Sequence, residues 1–366
     1  MANIERRETS RGVRYDVRYR TATGTVRTRT FKRRKDADAH RSLVEADLLR
    51  GEWCDPRLGR VSFADWTKRW KETTVNLRPS TIARDDSYLR SLILPTFADY
   101  RLAEIDRPTV RAWVAELSTR KAPATVVKAH QILSKILECA VDDGMLPSNP
   151  SSRVPLPRIE RKEMRFLGPT EVAHLADTID PRYRALVMLG CYGGLRAGEL
   201  LGLRAGCVDP LRGRVEISEI CLEVRGQITF GPPKTRAGQR TVPLPQSIAE
   251  ELAEHLRRLG AGPRDLVFPA PEGAPIRLSL WRRRIWAPAV EQAGLAPLRI
   301  HDMRHTAVAL WIAAGASPNE IASRAGHTSV SVVLDRYGHL LPGTEDRVND
   351  ALDALVRASS PAQRAR

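Results

Sequence analysis

The chain has 366 residues and 59 Lys and Arg against 43 Asp and Glu, a formal charge of +16 that favours a polyanionic partner, nucleic acid first among them. Its hydrophobic content of 42% supports a buried core in two or three domains, no run is apolar enough to span a bilayer, and the opening MANIERRETS lacks the apolar run of a signal peptide. Five scattered cysteines (Cys54, Cys139, Cys191, Cys207, Cys221), never spaced as CxxC, argue for buried thiols in a reducing compartment over disulfides or a zinc site.

The charge is concentrated at the start: residues 1–60 hold 16 basic and 9 acidic groups. Val13, Tyr15, Val17 and Tyr19 alternate with Arg14, Asp16, Arg18 and Arg20, the period of a strand. Gly24 marks a turn, and Val26 to Phe31 returns as a second strand with Arg27 and Arg29 on one face. A helix is expected over 35–50, stopped near Gly51. Such a sheet, with Arg14, Arg18, Arg27 and Arg29 on one arginine-studded face, can enter a DNA major groove; the plainer reading is a solvated outer face.

Residues 61–145 are helical in pattern. Ser62 is placed to cap a helix carrying Phe63, Trp66 and Trp70, Pro79 suits a first helical turn, and 124–143 reads as a helix stopped by Gly144. The proline-bearing, basic stretch over 149–164 reads as an interdomain linker. From about Phe166 the pattern is mixed. Helices are expected near 169–179, 181–192, 196–203, 246–259, 279–293, 302–314, 318–325 and 329–336, with strands near 214–218, 227–230 and 240–244. A last helix carries Val348, Leu352 and Leu355 as an apolar stripe, which either packs on its own domain or meets a neighbour.

Five segments in this last region set basic residues in specific surroundings: Gly193-Gly194-Leu195-Arg196-Ala197-Gly198-Glu199-Leu200, Pro233-Lys234-Thr235, His301-Asp302-Met303-Arg304-His305, Gly326-His327 and Asp335-Arg336-Tyr337-Gly338-His339. In that order they resemble the catalytic signature of the tyrosine recombinases, the phage integrase family, over roughly residues 165–345. The helical segment and linker are similar to the family's core-binding arrangement, and the N-terminal strands to the arm-binding domain of its larger members. The resemblance implies an α+β, multidomain chain: an arm-type domain over 1–58, an all-helical SAM-like domain over 61–148, the linker over 149–164, and a mainly helical catalytic domain with a small antiparallel sheet over 165–366. It implies double-stranded DNA as partner at core and arm sites, a homotetramer on that DNA, and a host bending protein or excision factor beside it. It also implies no membrane, a cytoplasmic, nucleoid-associated location in a bacterial host, and integration of a phage or other mobile element.

The residues themselves fit such chemistry. Attack on a phosphodiester concentrates charge on its non-bridging oxygens, where the forked, permanently charged Arg196 and Arg304 can bind in pairs and His327 can add a donor. Tyr337 is the candidate nucleophile, and a 3′-phosphotyrosine keeps the bond energy for rejoining. His301, three residues before Arg304 and so on the same helical face, is the candidate proton acceptor; Lys234, expected beside two arginines in a buried setting, is the candidate proton donor to the leaving 5′-oxygen. Glu199 and His305 are read as supporting residues. A zinc site on His301 and His305 is disfavoured, since Asp302 is not the Glu of HExxH and no third ligand is evident. No GxxxxGK loop is present, and transesterification needs no ATP or other cofactor. The rival readings are a type IB topoisomerase-like enzyme and a non-catalytic DNA-binding regulator.

Overall fold

The computed structural model describes residues 2–10, 12–21, 24–50, 58–160, 164–340 and 344–359, so the expected stop at Gly51, Cys54 and the side chain of Val348 lie outside the described residues. The chain divides into two compact units, Met1–Arg161 and Lys162–Arg366. The first holds two separate apolar cores.

The first of these cores belongs to an antiparallel sheet of β1 (Asn3–Thr9), β2 (Gly12–Arg20) and β3 (Val26–Phe31), covered by α1 (Arg34–Arg50). β2 buries Val17 and Tyr19 against Ala37 and Val44. The expected hairpin is thus a three-stranded sheet; β1 escapes a reading by alternation because NIERRET has one large apolar residue, Ile4, paired with Val17. The expectation of one arginine face is corrected by the register. Directly opposed residues project to the same side of a sheet, and Arg29 opposes Val17 while Arg27 opposes Tyr19, placing both on the side of the core. Arg14 opposes Arg7, and Arg18 opposes Asn3 and Thr28, on the other side. A one-residue change of register reverses every side chain, and strand alternation alone does not fix it.

The second core lies among α2 (Phe63–Thr73), α3 (Pro79–Tyr88), α4 (Leu94–Phe97), α5 (Arg107–Arg120) and α6 (Pro123–Asp142). Ser62 caps α2 by accepting from the Asp65 N–H at 3.1 Å, and Gly144, at φ +67, turns the chain after α6. α3 reaches α4 through a widened π turn, Leu89–Ile93; Pro95 just beyond it has no N–H to give, and the wide turn accommodates its ring inside a continuing helix. Trp66 and Trp113 bury their rings and donate to the carbonyls of Ile136 and Leu92, at 2.9 and 3.1 Å. Residues 149–154, expected in the linker, are pinned to α6 instead. Asn149 donates to the Ser134 carbonyl at 3.0 Å, His130 contacts the Ser151 carbonyl at 3.1 Å, and Val154 joins the apolar core.

The second unit begins with α7 (Pro169–Thr178), α8 (Arg184–Gly193) and α9 (Ala197–Gly202), followed by short strands. β4 (Val208–Asp209), β5 (Arg214–Ile217) and β8 (Arg240–Pro243) form one antiparallel sheet, and β6 (Ile220–Val224) with β7 (Gln227–Gly231) a separate hairpin. β6 was not expected from sequence, because Ser218-Glu219 falls between it and β5 without a glycine or proline to mark the break. Then come α10 (Gln246–Leu259), α11 (Leu278–Trp281), a second π turn (Arg282–Trp286) ahead of Pro288, α12 (Ala287–Gln292), α13 (Asp302–Ala313), α14 (Pro318–Ala325), α15 (Ser331–Tyr337) and α16 (Thr344–Ser359). α8 and α13 pack against each other through the middle of this unit. On α16, Leu352 and Leu355 are 52% and 67% exposed, so the described part of the stripe does not pack on its own domain. No helix among the described residues is long and apolar enough to cross a membrane.

Candidate active site

α8 ends at Gly193, and Gly194 reverses the chain at φ +65 directly against α13: a Cβ there would lie 2.6 Å from Trp311. Arg196 follows as the residue that starts α9. Its backbone N–H donates to Glu199 Oε2 at 2.9 Å and its Nη1 to Glu199 Oε1 at 2.7 Å, which fixes the root and one arm of the side chain. The other arm, Nη2, donates to the Gly326 carbonyl at 3.1 Å. Arg304, from the first turns of α13, donates through Nη1 to the Gly194 carbonyl at 2.7 Å and through Nη2 to the carbonyl of Ala325. The two guanidiniums therefore reach consecutive carbonyls at the end of α14, where Gly326 turns the chain at φ +62 and His327 follows.

This end of α14 is one wall of a cleft of about 400 Å³, whose lining includes Arg196, Glu199, Lys234, Gly326, His327 and Thr328. Arg196 has 40% of its side chain exposed to it, whereas Arg304 is 3% exposed and lies beneath. Burial, and then Arg196 nearby, lower Arg304 to about 9, which leaves it charged at neutral pH. The same causes, burial first and then Arg304 and Arg196, hold His327 near 4, so its ring is neutral at pH 7; its Nδ1 is buried without a hydrogen-bond partner. Lys234 stands exposed on the turn between β7 and β8, and not in the buried setting expected for it. Burial alone would raise the Glu199 carboxyl, but hydrogen bonds from Arg240 and charge from both arginines bring it below its ordinary value.

The nucleophile candidate is held behind this wall. Tyr337 ends α15 at 2% exposure, packed with Val333 and Ile321, and its hydroxyl lies 2.6 Å from His305 Nδ1. Burial raises the phenol, and burial followed by the neighbouring His301 lowers His305 to about 4. His301, the expected acceptor, stands just before α13 with its ring edge-on to His305 at 4.8 Å between centroids; burial and then Arg304 lower it, with Arg196 and Arg336 also acting on it. The pair at i and i+4 left both histidines on one face, and packing against α15 selects the second. Asp302, buried and gripped by Arg299 at 2.9 Å, anchors this end of α13.

Arg196, Glu199, Lys234 and His327 thus share one cleft, Arg304 underlies it, and Tyr337 and His305 stand together beyond it. Arg14, Arg18, Arg27 and Arg29 belong to the other unit. Sequence reasoning missed Arg240, whose guanidinium forks onto Glu199 at 2.9 and 3.2 Å. A signal existed: Arg240 lies two residues before buried Val242 on β8, and so on the inward face of its strand. Among the described residues no three His, Cys, Asp or Glu cluster to hold a metal ion.

A model of the phage integrase family matches residues 165–343, and one of the phage integrase N-terminal SAM-like domain matches residues 62–118. The chain is 26% identical over 345 residues to the phiRv2 prophage integrase of Mycobacterium tuberculosis, covering 90% of this chain and 89% of that protein. It is 23% identical over 346 residues to the integrase of Mycobacterium phage L5, covering 90% and 91%. Among solved structures it resembles the Tn1549 transposon integrase in complex with a circular intermediate DNA, at TM-score 0.69 and 17% identity over 80% of this chain and 99% of that one. It also resembles a lambda integrase tetramer bound to a Holliday junction, at TM-score 0.59 and 18% identity over 86% and 90%.

Proposed function

The chain belongs to the phage integrase family, and from that premise we propose that it performs site-specific recombination by cutting and rejoining DNA through a covalent bond to Tyr337. The observation that carries the assignment of residues is the pair of guanidiniums on consecutive carbonyls beside His327, opening on a cleft that Lys234 also lines. A phosphodiester in that cleft would meet Arg196 from the side, with Arg304 below and the His327 ring as a further donor. Tyr337 Oη attacks phosphorus, the bond to the 5′-oxygen breaks, and Lys234 supplies the proton that the leaving oxygen needs. The 3′-phosphotyrosine conserves the bond energy, so the reverse attack by another 5′-hydroxyl rejoins the strand.

In its packed position the phenol touches His305 and not His301, so His305 holds the hydroxyl at rest, and His301 stays the acceptor expected once Tyr337 reaches the phosphate. A histidine held near 4 is too weak a base to strip a phenol raised above its ordinary value in a separate step. The proton therefore leaves as the oxygen–phosphorus bond forms. Since Tyr337 is 2% exposed, attack also requires α15 to carry it out of its packing.

Double-stranded DNA is the substrate of this reading. The sheet of β1–β3 would bind arm sites and the helical body core sites. A homotetramer on DNA follows the assembly named for the lambda relative, with exposed Leu352 and Leu355 as the surface that meets a neighbour. A host bending protein or an excision factor, and a place on the bacterial nucleoid, complete the reading. The test is Tyr337→Phe on a nicked suicide substrate: covalent protein–DNA adduct disappears on a denaturing gel while core-site binding stays within about twofold, since one hydroxyl is removed among many groups that meet phosphate. An adduct that persists removes Tyr337 from the role.

A further inference from the structure

Arg240 opens β8 with its side chain 7% exposed, and a guanidinium buried that far must spend its N–H groups on the protein. It spends them on three segments. Nη2 and Nη1 donate to the two oxygens of Glu199 at 2.9 and 3.2 Å, Nη1 also to the Gly238 carbonyl at 3.1 Å, and Nε to the Arg324 carbonyl at 2.6 Å. Gly238 closes the turn that begins at Lys234, and Arg324 lies in the last turn of α14, which leads into His327. Contact is close enough that a Cβ on Gly326 would lie 2.7 Å from the Ala237 carbonyl and 3.0 Å from the Arg240 side chain.

Glu199 is 2% exposed and shared between two arginines, so one carboxylate meets two positive charges. Arg196 commits a single N–H of one arm to it and reaches Gly326 with the other. With Arg240 gone, Arg196 would be the one guanidinium still hydrogen-bonded to this buried carboxylate, and in that low-dielectric setting it would be drawn into full pairing, its charge withdrawn from the cleft.

We propose that Arg240 is a positioning residue for strand cleavage: it occupies one flank of Glu199 so that Arg196 remains directed at the DNA phosphate, and it ties the Lys234 turn to the His327 turn. The role rests on the recombinase reading given above. Arg240→Gln cuts single-turnover cleavage of a nicked suicide substrate roughly 10- to 100-fold, the range seen when the supporting partner of a reactive group is removed, and leaves core-site affinity in gel shifts within about twofold. Adding Glu199→Gln removes the competing carboxylate and restores most of the missing rate. Acidification imitates that second substitution, because Glu199 without Arg240 takes up a proton more readily. The ratio of the Arg240→Gln rate to wild type therefore rises from about pH 8 to about pH 5.5. A wild-type rate in Arg240→Gln, or a double variant no faster than the single one, overturns the role. Should Arg240→Gln fail to fold, Arg240→Lys decides: slowed cleavage with intact binding supports the role, and unchanged cleavage overturns it. Adduct formation by the wild-type chain in the same gel tests the recombinase reading separately. Its absence overturns both ideas, whereas its presence beside an unaffected Arg240→Gln overturns only this one.

Discussion

A guanidinium can commit some N–H groups to the protein and offer others to a ligand, and an ammonium cannot reproduce that division. Arg196→Lys and Arg304→Lys each keep the charge but lose the fork that joins the cleft to the end of α14. We expect cleavage to fall about 100- to 1,000-fold, about 2.7–4 kcal/mol, the cost of removing one donor from a developing oxyanion; near-wild-type rates would misplace the phosphate clamp. Lys234 requires a different test, since it stands exposed on its turn. If it gives the leaving oxygen a proton, Lys234→Ala is slow on ordinary DNA and largely restored when sulfur replaces the 5′-bridging oxygen, a thiol needing no such help. Arg304→Ala gains no comparable rescue, and rescue of neither would make Lys234 a charge-supplying residue. The residue types proposed for the site were legible because a phosphodiester calls for forked cations, proton carriers and a nucleophile, and their order in the chain was legible only through its resemblance to the family. The contact of His305 with Tyr337 was not, because helical spacing places His301 and His305 on one side and only the packing of α15 sets the second against the phenol. For Arg240, strand alternation gave the inward face but not the partners, which lie 41 and 84 residues away in the chain.

At the scale of elements, periodicity located most helices, though α4 and α5 only as part of a helical stretch over 61–145, while strand parity and interruptions escaped it. α10 and α14 span the expected residues, whereas the helix expected over 279–293 is broken by a π turn ahead of Pro288. β1 has no alternation to detect. The register of β2 with β3 separates the arginines by face, with a consequence for DNA binding. Arg14 and Arg18 project away from the core of the sheet, while Arg27 and Arg29 share the side of Val17 and Tyr19, Arg29 lying over the Phe31 ring at 5.3 Å. Arg14→Ala with Arg18→Ala should therefore weaken arm-site binding and reduce the slope of log affinity against log salt by about 2, one for each phosphate no longer neutralised. Arg27→Ala with Arg29→Ala should leave that slope nearly unchanged. The reverse ranking would mean that the other face of the sheet meets DNA.

For the whole molecule, the neutral histidines set an acid limit on stability. His305 and His327 are held near 4 against 6.5 in an unfolded chain, and burial lowers His130 and His255 too. The unfolded state binds more protons between those values, so this stability is complete above about pH 6.5 and is lost as pH falls towards 4. The melting temperature should decline across that window, with a shallower slope in His305→Gln/His327→Gln; a slope unchanged in that variant would mean these rings are not held neutral. Division into units was legible only in part: the proline-bearing stretch after α6 marks the boundary region, but Asn149 and Ser151 make its first residues part of the helical body. Everything else depends on a covalent bond from Tyr337 to a DNA 3′ end. The direct measurement is to trap the adduct on a suicide substrate, digest it with nuclease and trypsin, and weigh the peptides. The account predicts a nucleotide joined through a 3′-phosphate to the peptide of residues 337–347, at Tyr337. A nucleotide on any other residue, or one joined through its 5′ end, would contradict it.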